Sequence, residues 1–265
     1  RPHLLVLGVL LVVAGFVTPA REAYWYFERG WALLLGGWFL ATVAALPRAG
    51  FLVRALTAVT GAAASAVLLF ATGRASFQRI DATVADRLRA SADSFVAGWR
   101  SSGAFDRVGG EVTETLYQAV ALQAMVFPAL LALASVAALA VAWWGFRRMS
   151  GADERPLAPL REFRFHDGLV WLLIAGIALL LLPLHELADR FGSNLLTFMT
   201  ALYALRGLAV LLVLGGAPGP LALLVGAVLF LLLYPLVVVT TVLVGLSDTW
   251  LDIRTRRRAP PEPGA

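Results

Sequence analysis

The chain contains no cysteine and no lysine; all 22 of its basic residues are arginine. Without cysteine there is no disulfide, no thiolate nucleophile and no Cys-based zinc or iron–sulfur site. Without lysine there is no Schiff-base chemistry and no P-loop lysine. Histidine is confined to His3, His166 and His185, too few and too scattered to assemble a Ser-His-Asp set. Charge is sparse as well, at 15% of 265 residues, where a soluble protein carries about a quarter. Apolar residues fill the gap, at 60% of the chain with a mean hydropathy of +0.79. A cytosolic globular enzyme is excluded; the class is an integral membrane protein. The net charge of +5 gives no case for a nucleic-acid partner. The arginines sit mostly between apolar runs, where they set topology and meet lipid phosphates.

A bilayer core is crossed by roughly 17–25 apolar residues in a helix. Seven segments approach that length: 4–20, 31–46, 51–72, 116–146, 169–184, 195–214 and 221–246. The first reads as a retained helix, because Thr18-Pro19-Ala20-Arg21 is a poor cleavage site, and the missing initiator methionine suggests a trimmed or partial N-terminus. Tyr24, Trp25, Tyr26 and Phe27, with Trp31 and Trp38, read as an interfacial aromatic belt. Gly61 to Ala66 supply small residues that let neighbouring helices approach closely. Residues 116–146 are too long for one upright span, so they either tilt and kink at Pro128 or push their first turns into the insertion that precedes them, and Pro235 kinks the seventh segment.

Residues 73–115 break the pattern. Six arginines balance six acids there, and Phe77, Ile80, Val84 and Leu88 recur at helical spacing, which predicts an amphipathic helix. The expected architecture is therefore all-α: a polytopic helical membrane bundle of about seven hydrophobic segments. It forms a single domain over residues 1–254, with the insertion at 73–115 and a disordered basic, proline-rich tail at 255–265. The positive-inside rule places the first six segments well with the N-terminus inside. It then conflicts with the tail, because three apolar segments separate the basic residues of 147–164 from those of 254–258.

Few polar residues stand inside the spans. Arg206 is the strongest signal, since a charge at that depth costs about 2.5–3.5 kcal/mol and faces a bundle interior or cavity. No Asp or Glu stands at mid-depth to pair with it. Backbone carbonyls near Pro128 or Pro235, or Tyr203, Tyr234, Gln118, Gln123 or Thr240, are its expected neighbours. Asn194 reads as the cap of the sixth segment. Arg206, Tyr203 and Asn194 form the candidate ligand set. Asp248, Trp250, Asp252 and Arg254 fall in a short interfacial helix opened by Ser247. They form the candidate partner-docking set, the alternative being a pair between Asp248 or Asp252 and a loop arginine. His185-Glu186-Leu187-Ala188-Asp189 lacks the second histidine of a zincin helix, so no metal and no cofactor is expected.

Three stretches carry a family resemblance. One is Phe127-Pro128-Ala129-Leu130-Leu131 followed by Trp143-Trp144 and the arginine pair. Another is Leu157-Ala158-Pro159-Leu160-Arg161-Glu162-Phe163-Arg164-Phe165 leading into Leu169-Val170-Trp171. The third is Asn194-Leu195-Leu196 with Tyr203-Ala204-Leu205-Arg206-Gly207-Leu208, closing on Gly245 to Arg254. They resemble the YybS-like family of bacterial membrane proteins, the domain of unknown function numbered 2232. The resemblance implies a multi-pass protein of the bacterial inner membrane, distantly similar to the S-components of energy-coupling-factor transporters. Those components are six-helix bundles that capture a small molecule and dock through small residues of the first helix. This chain departs from them in its 73–115 insertion and in offering only Gly8, Ala14 and Gly15 on that helix. Two functions are expected on these grounds. One is a small-molecule carrier or substrate-capture subunit; the other is a non-catalytic assembly subunit that contacts lipids and other membrane proteins. An enzyme is not expected.

Overall fold

The computed structural model describes residues 23–72, 77–101, 109–150, 159–183, 185–216 and 219–254. The first apolar segment and the 255–265 tail lie outside the described residues. The described residues form nine α-helices, which divide between two compact units, Arg1–Arg155 and Pro156–Ala265. The sequence pointed to one domain. Four helices are long and apolar enough to cross a membrane.

The first unit holds α1 (Ala23–Ala45), α2 (Phe51–Thr72), α3 (Phe77–Ser101), α4 (Gly109–Met125) and α5 (Phe127–Ser150). Helix α1 starts earlier than expected, within the presumed aromatic loop. Glu28 and Arg29 interrupt the apolar run without breaking the helix. Phe27, Trp31 and Phe39 of α1 are packing groups. Phe27 meets Phe127 at 6.3 Å, Trp31 Nε1 donates to Ser135 Oγ at 2.9 Å, and Phe39 stands edge-on to Trp143 at 5.9 Å. These contacts step along both helices in the same direction, so α1 and α5 run parallel. Trp38 lies over Gly61 and donates to Ser65 at 2.9 Å. The small-residue face of α2 is thus partly filled by an indole of α1.

The expected 116–146 segment is two helices with a break at Val126, and Pro128 stands in the first turn of α5, where its missing N–H costs nothing. The insertion becomes α3 and the start of α4, which pack on one another. Val84, Ala92 and Val96 of α3 are buried and Ile80 and Leu88 are half-buried, as the helical spacing requires. The Phe77 side chain lies outside the described residues.

The second unit holds two short 3-10 turns (Leu160–Glu162 and Asp167–Leu169), then α6 (Val170–Leu181), α7 (Glu186–Gly215), α8 (Pro220–Leu232) and α9 (Tyr234–Leu251). At 1.5 Å per residue, the 30 residues of α7 extend about 45 Å, whereas the 12 residues of α6 extend only about 18 Å. The seventh segment does not kink; it parts at Leu233 into α8 and α9, with Pro235 in the first turn of α9. Helix α6 lies along the first half of α7, where Gly176 faces Gly192 and Leu196. Helix α9 lies along the second half, where Gly245 and Thr241 face Tyr203 and Gly207. Both run antiparallel to α7.

Candidate functional site: a buried arginine–aspartate cluster

The inward face of α7 reads Met199, Leu202, Tyr203, Arg206, Gly207 and Val210, all buried. On α9, Thr241, Gly245 and Asp248 fall four and three residues apart, so they share one face. The two glycines bring the helix backbones together, and Arg206 and Asp248 meet just beyond that contact. Arg206 is 1% exposed and Asp248 is fully buried. Arg206 Nε donates to Asp248 Oδ2 at 3.0 Å and Nη2 to the Asp248 carbonyl at 3.2 Å. Nη1 donates to Asp167 Oδ1 at 2.6 Å, at the turn that opens α6. The guanidinium also lies over the Phe165 ring at 5.3 Å, and Phe165 meets Tyr203 edge-on at 5.1 Å.

A second arginine completes the cluster. Helix α9 ends at Leu251, and Asp252 takes a left-handed conformation with φ 42°. That reversal turns Arg254 back onto α9. Its Nη2 donates to Asp248 Oδ2 at 2.8 Å and its Nη1 to the Phe163 carbonyl at 2.8 Å. Asp252 itself pairs with Arg164. Three arginines therefore meet three aspartates, and the cluster carries no net charge. Among the described residues, four buried polar atoms around it have no hydrogen-bond partner: Tyr203 Oη, Asp248 Oδ1, Thr249 Oγ1 and Arg254 Nε.

The structure sorts the expected site residues as follows. Arg206 and Tyr203 come together, but Asn194 does not join them. It lies within α7, which begins eight residues earlier at Glu186, and its amide donates to the Arg190 carbonyl at 2.8 Å. It therefore does not cap the helix; the polar residues from Glu186 onwards are helical because α7 continues past its apolar part. The expected neighbours of Arg206 are likewise corrected. Its partners are two carboxylates and one carbonyl, not proline-freed backbone. The short helix opened by Ser247 is the last turns of α9, and the Ser247 hydroxyl donates back to the Leu243 carbonyl at 2.8 Å. Asp248 and Arg254 are enclosed by their own chain and present no docking surface, whereas Trp250 is exposed. The alternative reading, an aspartate paired with a loop arginine, describes Asp252 and Arg164.

Asp167 was not foreseen. Nothing in its local sequence marks it. Asp248 could have been found, because continuing the helical phase of Thr241 and Gly245 past Leu246 brings it onto their face. His185, Glu186 and Asp189 stand exposed at the start of α7. Among the described residues no group of three or more His, Asp or Glu side chains is placed to hold a metal ion.

No curated protein matches the chain, and no solved structure matches it. A family model does match, over residues 33–249, and it is described as a predicted membrane protein, DUF2232. It takes in α2 to α8 entirely, most of α1 and α9, and both Arg206 and Asp248. The chain therefore belongs to the DUF2232 family of membrane proteins.

Proposed function

We propose that the protein is a non-catalytic membrane subunit whose second unit acts as a rigid scaffold for assembly with other membrane proteins. The observation that carries this reading is the commitment of Arg206. Its guanidinium is buried and bonded to Asp248 and Asp167, so its charge is used in holding α6, α7 and α9 together. Each carboxylate of the cluster is held in an ion pair with one of its arginines. The exposed Trp250 and the exposed apolar faces of α8 and α9 are left for lipid and for neighbouring membrane helices.

A carrier is the second reading. The four unpartnered polar atoms around the cluster favour it, because buried polar groups are ordinarily satisfied and these could hold a small polar molecule. One substitution separates the two. In the scaffold reading, Arg206→Gln lowers thermal stability in detergent, and vesicles containing the wild-type chain alone accumulate no small organic anion. The wild-type chain also leaves native membranes, in mild detergent, in a stoichiometric complex with other membrane proteins. Anion uptake by wild type that a folded Arg206→Gln variant abolishes would establish the carrier instead.

A further inference from the structure

The first unit carries a pair of arginines, Arg147 and Arg148, outside any such cluster among the described residues. The parallel course of α1 and α5 brings their C-terminal ends together, beside the start of α2. Arg54 serves the fold at this end. Its Nε and Nη2 donate to the Leu46 and Pro47 carbonyls at 3.0 and 2.7 Å, and its guanidinium lies 5.6 Å over Trp143. Arg147 and Arg148, in the last turn of α5, have no such task. Among the described residues neither has a hydrogen bond or an ion pair, and Arg147 Nε is enclosed without an acceptor. Arg148 lies 5.6 Å over the ring of Trp144, and Trp144 and Met149 are both exposed. Helix α2 begins and α5 ends here, and both are long and apolar enough to cross a membrane. That sets the arginines at headgroup depth, with an indole beside them of the kind that favours this layer.

We propose that this end of the first unit binds an anionic phospholipid headgroup. Arg147 and Arg148 would contact the phosphate, and Trp144 would lie along the glycerol backbone. The charge complementarity is direct: two cations with no ion pair among the described residues, one with an enclosed donor, face a layer that supplies phosphate.

The test uses the whole chain in phosphatidylcholine nanodiscs carrying a minor fraction of phosphatidylglycerol, with the retained lipid counted by native mass spectrometry. Phosphatidylglycerol should be retained over phosphatidylcholine by about thirtyfold, the scale expected for two arginines at a membrane surface. Arg147→Gln with Arg148→Gln should remove the preference. Arg147→Lys with Arg148→Lys should keep most of it. A charge-matched control, Arg89→Gln with Arg161→Gln, should leave it unchanged. Should the double glutamine variant not fold, Arg148→Gln alone reads the same preference, because that side chain is exposed and lies over the Trp144 ring. The proposal is overturned if the glutamine variant keeps its preference or the control loses as much. Binding of free phosphate or of an acidic peptide in place of the lipid would also overturn it.

Discussion

Gly207 of α7 and Gly245 of α9 stand backbone to backbone. A methyl group built on Gly207 would lie 1.7 Å from the Thr241 carbonyl oxygen, and one on Gly245 would lie 2.1 Å from that of Tyr203. No flexible side chain is in the way to yield; the obstacle is main chain. Because helices in lipid associate through close packing rather than through expulsion of water, this contact sets how near α9 can come. It thereby sets whether Arg206 reaches Asp248.

Gly207→Ala and Gly245→Ala should each lower thermal stability in detergent, by at least the about 1–3 kcal/mol typical of overpacking. Gly37 and Gly226 have open space where a methyl would go. Alanine there should be neutral or stabilising by up to about 1 kcal/mol, from helix propensity alone. Melting curves for the four variants check the contrast. Equal losses at all four positions would argue against the close approach.

Removing one partner of a buried ion pair strands the other charge. Arg206→Gln and Asp248→Asn should each cost about 3–5 kcal/mol. Asp167→Asn should cost much less, because its side chain is 61% exposed and water can take the place of the lost bond. A double-mutant cycle between Arg206 and Asp248, followed by chemical denaturation in detergent, should return a large coupling energy. A coupling near zero would mean that the pair contributes nothing to the fold.

Asp252 has the sole positive φ among the described non-glycine residues, a conformation that Asn and Asp tolerate better than most residues. Asp252→Asn should keep the turn and lose only the bond to Arg164, an exposed pair of small worth. Asp252→Ala should lose both, and should also loosen Arg254 from Asp248. Thermal stability should therefore fall in the order wild type, Asn, Ala. Asp252→Gly should fall near Asn, because glycine takes positive φ without strain.

In the first unit, the Tyr117 hydroxyl donates to the Asp93 carboxylate. That bond raises the phenol's pKa above its ordinary value near 10. Since the folded-state value is the higher one, the contribution is complete below the unfolded value and is lost as pH rises through the folded one. Spectrophotometric titration should show Tyr117 among the tyrosines that ionise late in the wild type, with one fewer of them in the Asp93→Asn variant.

Within the second unit, the described parts of the two basic regions lie together. Arg254 bonds the Phe163 carbonyl and Asp252 pairs with Arg164, so segments 161–164 and 252–254 meet at one level. Counting three apolar segments between them misleads, because α6 is too short to cross a bilayer alone and starts where α9 finishes. The chain lacks cysteine, so single reporters need no altered background. Leu160→Cys and Leu251→Cys should react with a membrane-impermeant maleimide from the same side. Reaction from opposite sides would contradict this arrangement.

The helical class, the amphipathic insertion and the depth of Arg206 were legible because hydropathy and period report directly on burial. Helix ends were less so. Hydropathy stops at Trp31 and Leu195, but α1 and α7 continue through charged residues, since a helix needs its backbone bonds rather than an apolar surface. Asp248 was misplaced for the same reason, as the end of an apolar run was taken for the end of a span. The meeting of Asp167 with Arg206 was not legible at all. It depends on how far along α7 the short α6 is laid, which glycine contacts decide and no local pattern records.

The placement of α6 and α9 along α7 also has an electrostatic side. Every helix carries partial positive charge at its start and partial negative charge at its end. Helix α9 closes where the turn opening α6 begins, and both run in the same direction, so their peptide dipoles line up head to tail. Asp167 stands at the positive end of one, and Arg206 and Arg254 at the negative end of the other. Side by side with α7 and opposed to it, the two short helices cancel its dipole along nearly its whole length. A long helix that would otherwise carry uncompensated end charges into a low-dielectric medium is thereby neutralised by two partners, neither of which could do so alone.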